Sequence, residues 1–444
     1  MEGKREKARG LGVGAALATL SLVASYGALG IASIAVSRIV GPDATGLLAL
    51  SNQVILITVF VAGIGLRTSL AAMIGAGEWS VRTGVERVLP AALALGVAGG
   101  GVGLLLYELL KDSALEGYSF PMAAALMASL PAGLLWWILP AIALGRERYE
   151  AYALLTISAP AGVMLLCTLG AIVGGSSGVV YGLSGAYVLG GAGCAVWALV
   201  VASRPSPSRK EPGLSHALST GIRSWVNDLF QVVNLRPDLF ILNAYATTAD
   251  AGIYAVALSI TSAGFILPQS LATVVLPRSA ALHRRAPEEG LQVGEKTAAS
   301  AVRHAVLVSF AAAVGLGVFL LAVPAIWGGD FSRTTEYGLI MLPGVALLGI
   351  GRVMVAAFTG RGHRRQALAV GMVSFPATLV AYLLVVPDHG TLGAALVSSG
   401  SYVLAALLAG LLFFSTMRAS VRQTLVPTRA DAADYRRFAA RLRS

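Results

Sequence analysis

The sequence predicts an all-α polytopic membrane protein with about twelve transmembrane helices, in two six-helix lobes related by a parallel pseudo-repeat. Only 12% of the 444 residues are charged and 56% are hydrophobic, whereas about a quarter of a soluble domain is charged. The charges are also clustered, so that no Asp, Glu, Lys or Arg occurs from 151 to 203. That run exceeds one span, since a bilayer core takes about 20 helical residues. The glycine-rich stretch 174–178 is the predicted turn that divides it.

Hydropathy and turn residues place six spans in each half of the chain. The predicted spans are 11–37, 47–69, 88–110, 121–144, 151–173 and 178–202, then 222–246, 251–275, 300–324, 338–360, 366–387 and 391–416. They are numbered one to twelve below. The predicted domains are an N-terminal lobe (1–202), a Pro/Ser-rich cytoplasmic linker (203–221), a C-terminal lobe (222–416) and a basic cytoplasmic tail (417–444).

The distribution of positive charge predicts the orientation. With the N-terminus in the cytoplasm, most of the 33 Lys and Arg residues fall in cytoplasmic segments, and the outer loops hold only Arg38, Lys111 and Arg333. This asymmetry is the positive-inside pattern. It predicts a membrane protein with both termini in the cytoplasm. The net charge of +11 follows from this topology and from attraction to anionic lipid, so no nucleic-acid partner is expected.

Two short patterns recur at the same topological positions in both halves. The segment 41–49 between spans one and two resembles 248–255 between spans seven and eight, and 144–148 resembles 359–363. The offset of the second pattern is slightly larger than that of the first, and the long connection 276–299 can absorb the difference. Six spans are an even number, so both halves insert in the same direction, as in transporters with parallel repeats.

Span seven carries a narrow polar stripe that is unsuited to lipid. Its members share one helical face by their spacing of three and four residues and are Arg223, Asn227, Gln231, Asn234 and Asp238. Arg236 and Asp238 flank Pro237, which disfavours helical geometry at the residue before it. Ionised groups at membrane depth face a partner or water. The stripe therefore predicts a substrate cavity, and the alternative is an Arg236–Asp238 pair that holds the lobes together.

Two further arginines fall inside predicted spans. Arg67 and Arg352 both lie toward the cytoplasmic side, where a long side chain can also extend to the interface. If they face inward, they favour an anionic head group such as a pyrophosphate, which arginine binds in a bidentate manner. Asp238 is the candidate for a coupling proton or sodium ion, and the sequence leaves the choice between these ions open.

The sequence lacks the motifs of several functional classes. Residues 294–297 do not form a phosphate-binding loop, and the five histidines include no metal-binding pattern. We therefore expect no catalytic residue, metal or cofactor. Gly182, Ala186, Gly190 and Cys194 recur every four residues, which indicates close helix packing.

Two short signatures lie in corresponding places of the two halves. One comprises Arg38, Gly41, Pro42 and Gly46, and the other comprises Arg236, Asp238, Gly252, Tyr254 and the closing Pro277. At these residues the chain resembles the polysaccharide flippases of the MOP exporter superfamily, which implies a MATE-like fold in a bacterial cytoplasmic membrane. The resemblance implies two six-helix lobes around an arginine-lined cavity. It also implies translocation of undecaprenyl-pyrophosphate-linked oligosaccharide by alternating access during cell-surface polysaccharide biosynthesis, with glycan polymerases or glycosyltransferases as partners.

Four other hypotheses make different predictions. A cation-coupled drug antiporter would carry acidic residues in span one, but 11–37 has none. A lipid II flippase usually has two further spans. A membrane glycosyltransferase or polymerase needs a catalytic outer loop, which these short loops do not provide. A silent scaffold would place its essential residues on the cytoplasmic surface rather than at Arg236 and Asp238.

Overall fold

The computed structural model describes residues 2–203, 211–219, 221–222, 225, 237–273, 275, 289–417, 420–426 and 428. Within these ranges the secondary structure is helical and contains no β-strand. The chain forms two compact units, Met1–Ile253 and Tyr254–Ser444. The predicted domain limits at 202, 221 and 416 stay predictions.

Most helices of the first unit correspond to the predicted spans. They are Glu2–Ile39, Pro42–Ala62, Leu66–Gly75, Val81–Leu110, Phe120–Ala128, Leu130–Ile138, Pro140–Gly145, Tyr149–Ala202 and Asp238–Tyr245, with a short helix at 214–219. The helix Thr248–Ser262 starts in this unit and continues into the second.

The second unit continues with a 3₁₀ turn and a further series of helices. These elements are Ala263–Phe265 (3₁₀), Glu289–Leu320, Val323–Trp327, Gly329–Phe331 (3₁₀), Ser332–Gly360, Arg364–Met417 and Val421–Leu425. Eight helices of the described part are long and apolar enough to cross a membrane, and Val23–Ile39 is a shorter apolar helix. Two of the eight, Tyr149–Ala202 and Arg364–Met417, have double length and fold back at a glycine. The described helices thus account for every predicted span except the seventh, most of which lies outside the described residues.

Spans five and six form a tight antiparallel hairpin. The backbone leaves helical geometry at Gly175 (φ 56°, ψ −138°), inside the predicted turn. Beyond it the two helices are so close that a Cβ on Gly182 would overlap the backbone of Leu166, and one on Gly190 would meet Ala159 at 2.9 Å. The small residues predicted to pack therefore do so, because only a hydrogen or methyl group fits between the backbones.

The second unit repeats these backbone features in the same order and at the same intervals. Gly390 (φ 51°, ψ −132°) divides Arg364–Met417 as Gly175 divides the earlier hairpin. The turn before the hairpin also recurs, since Glu147 has φ 56° and Gly362 has φ 93°. The offset from Glu147 to Gly362 equals the offset from Gly175 to Gly390. Equivalent turns, each with a positive φ, confirm the internal repeat that the sequence patterns indicated.

Span two departs from the sequence prediction. We predicted one continuous span at 47–69, but the helix begins at Pro42 and ends at Ala62, and a second helix starts at Leu66. Ile64 and Gly65 both have positive φ (41° and 71°), and the Gly65 backbone contacts Gly221 so closely that a Cβ would not fit. Hydropathy does not register this break, because 47–69 remains apolar overall and contains one charged residue, Arg67.

The outer faces of the long helices carry large apolar side chains. Val173 is 88% exposed and Leu109 is 77% exposed. A water-soluble protein does not expose apolar surface on this scale, whereas lipid-facing helices require it. The protein is therefore a multi-pass membrane protein.

Candidate substrate site

Most of the predicted polar stripe lies outside the described residues. Its members there are Arg223, Asn227, Gln231 and Asn234, and the same holds for Arg236 and the signature residue Pro277. In the described part of span seven, a helix begins at Asp238, immediately after Pro237.

Asp238 is buried, with 1% of its surface exposed. It occupies the first turn of the helix Asp238–Tyr245, where the helix dipole favours a negative charge. Its Oδ1 accepts a hydrogen bond from the backbone N–H of Leu239 at 2.9 Å. Among the side chains that the structure describes, it is the one buried carboxylate. A burial this complete is costly for a carboxylate without compensation, so the position fits a site that binds an ion or pairs with a cation.

Arg67 is held between two aromatic side chains of the first unit. It follows the break in span two, and its guanidinium carbon lies 4.0 Å from the centre of the Trp137 ring. One guanidinium nitrogen donates to Tyr152 Oη at 2.8 Å. Trp137 in turn meets Phe60 edge to face, with ring centres 6.3 Å apart. Within the described part of the chain, Arg67 forms no ion pair with a carboxylate.

Arg352 has a closely similar environment in the second unit. Its guanidinium carbon lies 4.4 Å from the centre of the Phe265 ring. One guanidinium nitrogen lies 3.4 Å from Gln269 Oε1, at the long end of the hydrogen-bond range. Contact with an aromatic face stabilises a guanidinium by about 0.5–2 kcal/mol.

The two arginines have equivalent environments, although they lie on helices that are not counterparts in the repeat. Arg352 is the counterpart of Trp137 in the repeat, because the offset between them equals the offset between Gly175 and Gly390. In the first unit, span two supplies the arginine and span four the ring, whereas in the second unit span eight supplies the ring and span ten the arginine. Each unit therefore holds one guanidinium against an aromatic ring between its second and fourth spans.

The glycines of the two signatures meet each other. Gly41 (φ 113°) precedes Pro42 at the start of span two. A Cβ on Gly46 would overlap the carbonyl of Thr248, and a Cβ on Gly252 would overlap the carbonyl of Pro42. These signature glycines are thus required by close backbone packing. Arg38 lies exposed in the last turn of Glu2–Ile39.

Tyr254, the remaining signature residue, belongs to a buried hydroxyl network of the second unit. Its Oη lies 2.6 Å from Ser398 Oγ, and the same oxygen lies 2.6 Å from Tyr382 Oη. The network joins spans eight, eleven and twelve. Its role is structural, because satisfied polar networks specify one packing arrangement of buried helices.

Sequence reasoning identified the arginines but not the residues that hold them. Trp137, Tyr152 and Phe265 look like ordinary apolar or interfacial side chains in the sequence. The repeat offset that links Trp137 with Arg352 is a signal that could have identified one of them. In the part of the chain that the structure describes, no group of three or more His, Cys, Asp or Glu side chains is placed to hold a metal ion.

Comparison with known proteins identifies the fold. No protein-family model matches the sequence, and a search of curated proteins gives no significant match. Among solved structures, the chain is similar to the inward-facing conformation of a multidrug resistance MATE family transporter of the MOP superfamily. That similarity has a TM-score of 0.71 at 18% identity and covers 89% of this chain and 94% of the other.

Two other solved structures are similar over most of the chain. The lipid II flippase MurJ, in an inward closed conformation, gives a TM-score of 0.68 at 15% identity, with 91% of this chain and 89% of the flippase covered. A MOP superfamily transporter from Pyrococcus furiosus, described as having a binding pocket of reverse polarity, gives 0.60 at 16% identity, with coverage of 91% and 93%. The chain therefore has the fold shared by these transporters and by the flippase MurJ.

Proposed function

We propose that the protein is a flippase for undecaprenyl-pyrophosphate-linked oligosaccharide in a bacterial cytoplasmic membrane. The observation that carries this proposal is the pair of arginines held on aromatic rings, one in each unit. A guanidinium stacked on a ring is weakly hydrated and presents a planar edge of N–H donors that matches a phosphate oxygen pair. An anionic head group therefore suits these two positions.

The charges of the described spans also favour an anionic substrate over a cationic one. A transporter of cationic drugs needs carboxylates or other acceptors that face its substrate. In the described spans the one buried carboxylate is Asp238, whereas the stacked groups are guanidiniums. The similarity to a lipid II flippase supports a lipid substrate with a phosphate-containing head group.

We assign Asp238 as the residue that binds the coupling ion, a proton or sodium. A buried carboxylate at the start of a helix is the group most suited to exchange one bound cation for another. Together with Arg236 it would link the ion to the substrate. The protein then catalyses no covalent reaction, and its partners are the lipid-linked oligosaccharide, the bilayer and the enzymes that make or polymerise the glycan.

A second candidate function is cation-coupled export of drugs or other small molecules. The similarity to a multidrug MATE transporter and the burial of Asp238 favour it. A lipid II flippase is a third candidate, supported by the MurJ similarity. Of the three candidate functions, only the export of positively charged drugs is disfavoured by the two arginines.

The experiment reconstitutes purified protein in liposomes that contain a fluorescent undecaprenyl-pyrophosphate-linked oligosaccharide and follows its movement to the other leaflet. Arg67→Ala and Arg352→Ala should each reduce the rate about 10- to 100-fold, because a hydrogen bond to a charged group contributes about 1.5–3 kcal/mol. Arg333→Ala, at an exposed arginine near the start of Ser332–Gly360, is the matched control and should leave the rate unchanged.

The same assay separates a transport role of Arg236 and Asp238 from a structural pair. Arg236→Ala and Asp238→Asn should insert normally and lose transport, and exchange of the two charges should not restore it. Restored transport in the exchange variant would identify a structural pair. Liposomes that move no lipid-linked sugar while they exchange soluble cations for protons or sodium would replace the flippase proposal with the antiporter.

A further inference from the structure

The break in span two creates helix ends inside an apolar protein, and their backbone groups need partners. The first helix ends at Ala62 and the second starts at Leu66. In a continuous helix the carbonyl oxygen of Phe60 would accept a hydrogen bond from the N–H four residues later. At the break, Nε1 of Trp225 donates to this oxygen at 3.0 Å. A residue just beyond the predicted linker therefore satisfies the end of the first helix.

The helix after the break is held by the same stretch of chain. Gly65 (φ 71°) and Gly221 are so close that a Cβ on either would overlap the carbonyl group of the other. Ser69 is 1% exposed, and its hydroxyl donates to the carbonyl oxygen of Ala217 at 2.7 Å. Both sides of the break are thus fixed to a few residues around the end of the linker.

We call Ala217, Gly221 and Trp225 together the brace. They recur every four residues, so they lie on one face of a helix, and residues 214–219, 221–222 and 225 are helical. This face offers the break a carbonyl acceptor, a glycine without a side chain and an indole donor. The brace and the break both belong to the first unit.

Arg67 lies just after the break, as the second residue of Leu66–Gly75. A positive charge in the first turn is opposed by the helix dipole, so Arg67 does not itself stabilise this helix start. Trp137, the ring beneath its guanidinium, also packs against Phe60 on the other side of the break. The place of the guanidinium over this ring therefore depends on the angle at the break, which the brace fixes.

We propose that the brace sets the direction of the Arg67 guanidinium, and that Trp225 is a positioning residue for the anionic head group that Arg67 binds. The second part rests on the proposed function. Trp225 acts through the backbone of span two, because loss of its N–H frees the end of the first helix. The angle at the break then changes, and the guanidinium leaves Trp137 and Tyr152.

The test measures modification of Arg67 by phenylglyoxal in the full-length protein, followed by mass spectrometry of the peptide that contains it. A guanidinium held by Trp137 and Tyr152 reacts slowly, and a released one reacts faster. Trp225→Phe removes the N–H and keeps an aromatic ring, so the rate should rise about two- to tenfold through the loss of one hydrogen bond. Gly221→Ala inserts a methyl group between the brace and the break and should raise the rate about tenfold.

Each variant has a matched control in the same chain. Trp197→Phe makes the same substitution at a half-buried position of span six. Gly213→Ala adds a Cβ whose nearest neighbour, Ser215 Oγ, lies at 3.8 Å. Both controls should leave the modification rate of Arg67 unchanged. Tyr152→Phe removes the direct hydrogen bond to Arg67 and provides the rate of a released guanidinium.

Arg361 reports unfolding in the same samples, because it is 7% exposed and lies in the second unit. Faster modification of Arg67 in both variants, with Arg361 still protected, supports the brace. An unchanged rate at Arg67 in both variants would overturn it. A parallel rise at Arg361 in both variants would also overturn it, because these residues would then stabilise the fold as a whole.

Inorganic pyrophosphate separates the brace from the flippase proposal. It should slow modification of Arg67 in the wild type and slow it less in Trp225→Phe, because a misdirected guanidinium binds the anion more weakly. Equal protection in both proteins would reject the positioning role of Trp225. A selective rise at Arg67 without any protection by pyrophosphate would keep the brace and reject the head-group site. Protection without a selective rise would keep that site and reject the brace.

Discussion

Arg67 shows how a charged residue can be retained in an apolar protein by its neighbours. The guanidinium carbon lies over the Trp137 ring, and one guanidinium nitrogen donates to the hydroxyl of Tyr152. These contacts replace part of the water that the group has lost, and they fix the direction of its remaining N–H donors. At this scale the type of cation matters, because only a planar guanidinium can stack and present a bidentate edge at once.

We therefore predict that Arg67→Lys does not preserve transport, although it keeps the charge. An ammonium group loses the stacking on Trp137 and the fork of donors, so the transport rate in liposomes should fall about tenfold. Arg333→Lys at an exposed site serves as the control and should have no effect. Full activity of Arg67→Lys, with an unchanged melting temperature, would show that the site uses charge alone.

The hairpin of spans five and six is governed by the volume of a few side chains. Gly182 faces the backbone of Leu166, whereas Gly193 on the same helix has nothing within 4 Å of a Cβ position. The two glycines have the same helix propensity cost and differ in their surroundings. They therefore form a matched pair that isolates packing from propensity.

We predict that Gly182→Ala destabilises the protein and that Gly193→Ala does not. Overpacking at a tight helix crossing costs about 1–3 kcal/mol, whereas alanine at an unobstructed helical position is neutral or favourable by up to about 1 kcal/mol. Thermal unfolding of the two variants in one detergent would measure the difference. Equal melting temperatures would show that the hairpin backbones can move apart at little cost.

The linker after span six is docked to the loop before span three. Trp79 Nε1 donates to the carbonyl oxygen of Pro212 at 2.8 Å, and Arg87 donates to the same oxygen. The backbone N–H of Ser80 donates to Glu211 Oε1 at 3.0 Å. Burial on its own would raise the pKa of Glu211, but hydrogen bonds from Thr83 and Ser80 and the charge of Arg87 hold this pKa below its ordinary value of 4.5.

We predict that linker docking weakens in acid. Because the pKa of Glu211 is lower in the docked state, the carboxylate contributes stability at pH values above 4.5, its ordinary pKa, and this contribution is lost as the pH falls through the lowered pKa. The hydrogen-exchange protection factors of residues 211–217, corrected for the intrinsic pH dependence of amide exchange, should therefore be high at neutral pH and fall in acid. Glu211→Gln should exchange faster at neutral pH and lose most of this dependence, whereas an unchanged profile would contradict the role of Glu211.

At the scale of the whole molecule, the repeat requires equivalent loops to face the same side of the membrane. Glu147 and Gly362 occupy equivalent turns with positive φ, and Gly175 and Gly390 occupy the equivalent hairpin turns. An even number of spans separates the members of each pair. The positive-inside pattern predicts the first pair to be cytoplasmic and the second to be outside.

We predict that alkaline phosphatase fused after residue 147 or 362 is inactive and that fusions after 175 or 390 are active. Green fluorescent protein at the same positions should give the opposite pattern, which controls for expression. Opposite results for 147 and 362 would mean that the two halves insert in opposite directions, and the parallel repeat would then be wrong.

The sequence by itself determined the helical class, the repeat and most of the spans. Each of these depends on local properties, because a helix in lipid must satisfy its own backbone hydrogen bonds and expose apolar side chains. Uncharged runs and glycine turns therefore located the hairpins at 174–178 and near Gly390 correctly. The same local information identified Arg67 and Arg352 as charged residues within apolar segments.

Only the tertiary structure decided what these residues contact. Arg67 and Arg352 lie against aromatic rings of other spans, and Gly46 packs against the distant Thr248. The break of span two at Gly65 likewise coincides with a close contact to Gly221. Hydropathy cannot show them, because helix packing in membranes depends on the shapes of two surfaces rather than on the apolar character of either. The position of a span is a local property of the chain, whereas its partner is a property of the fold.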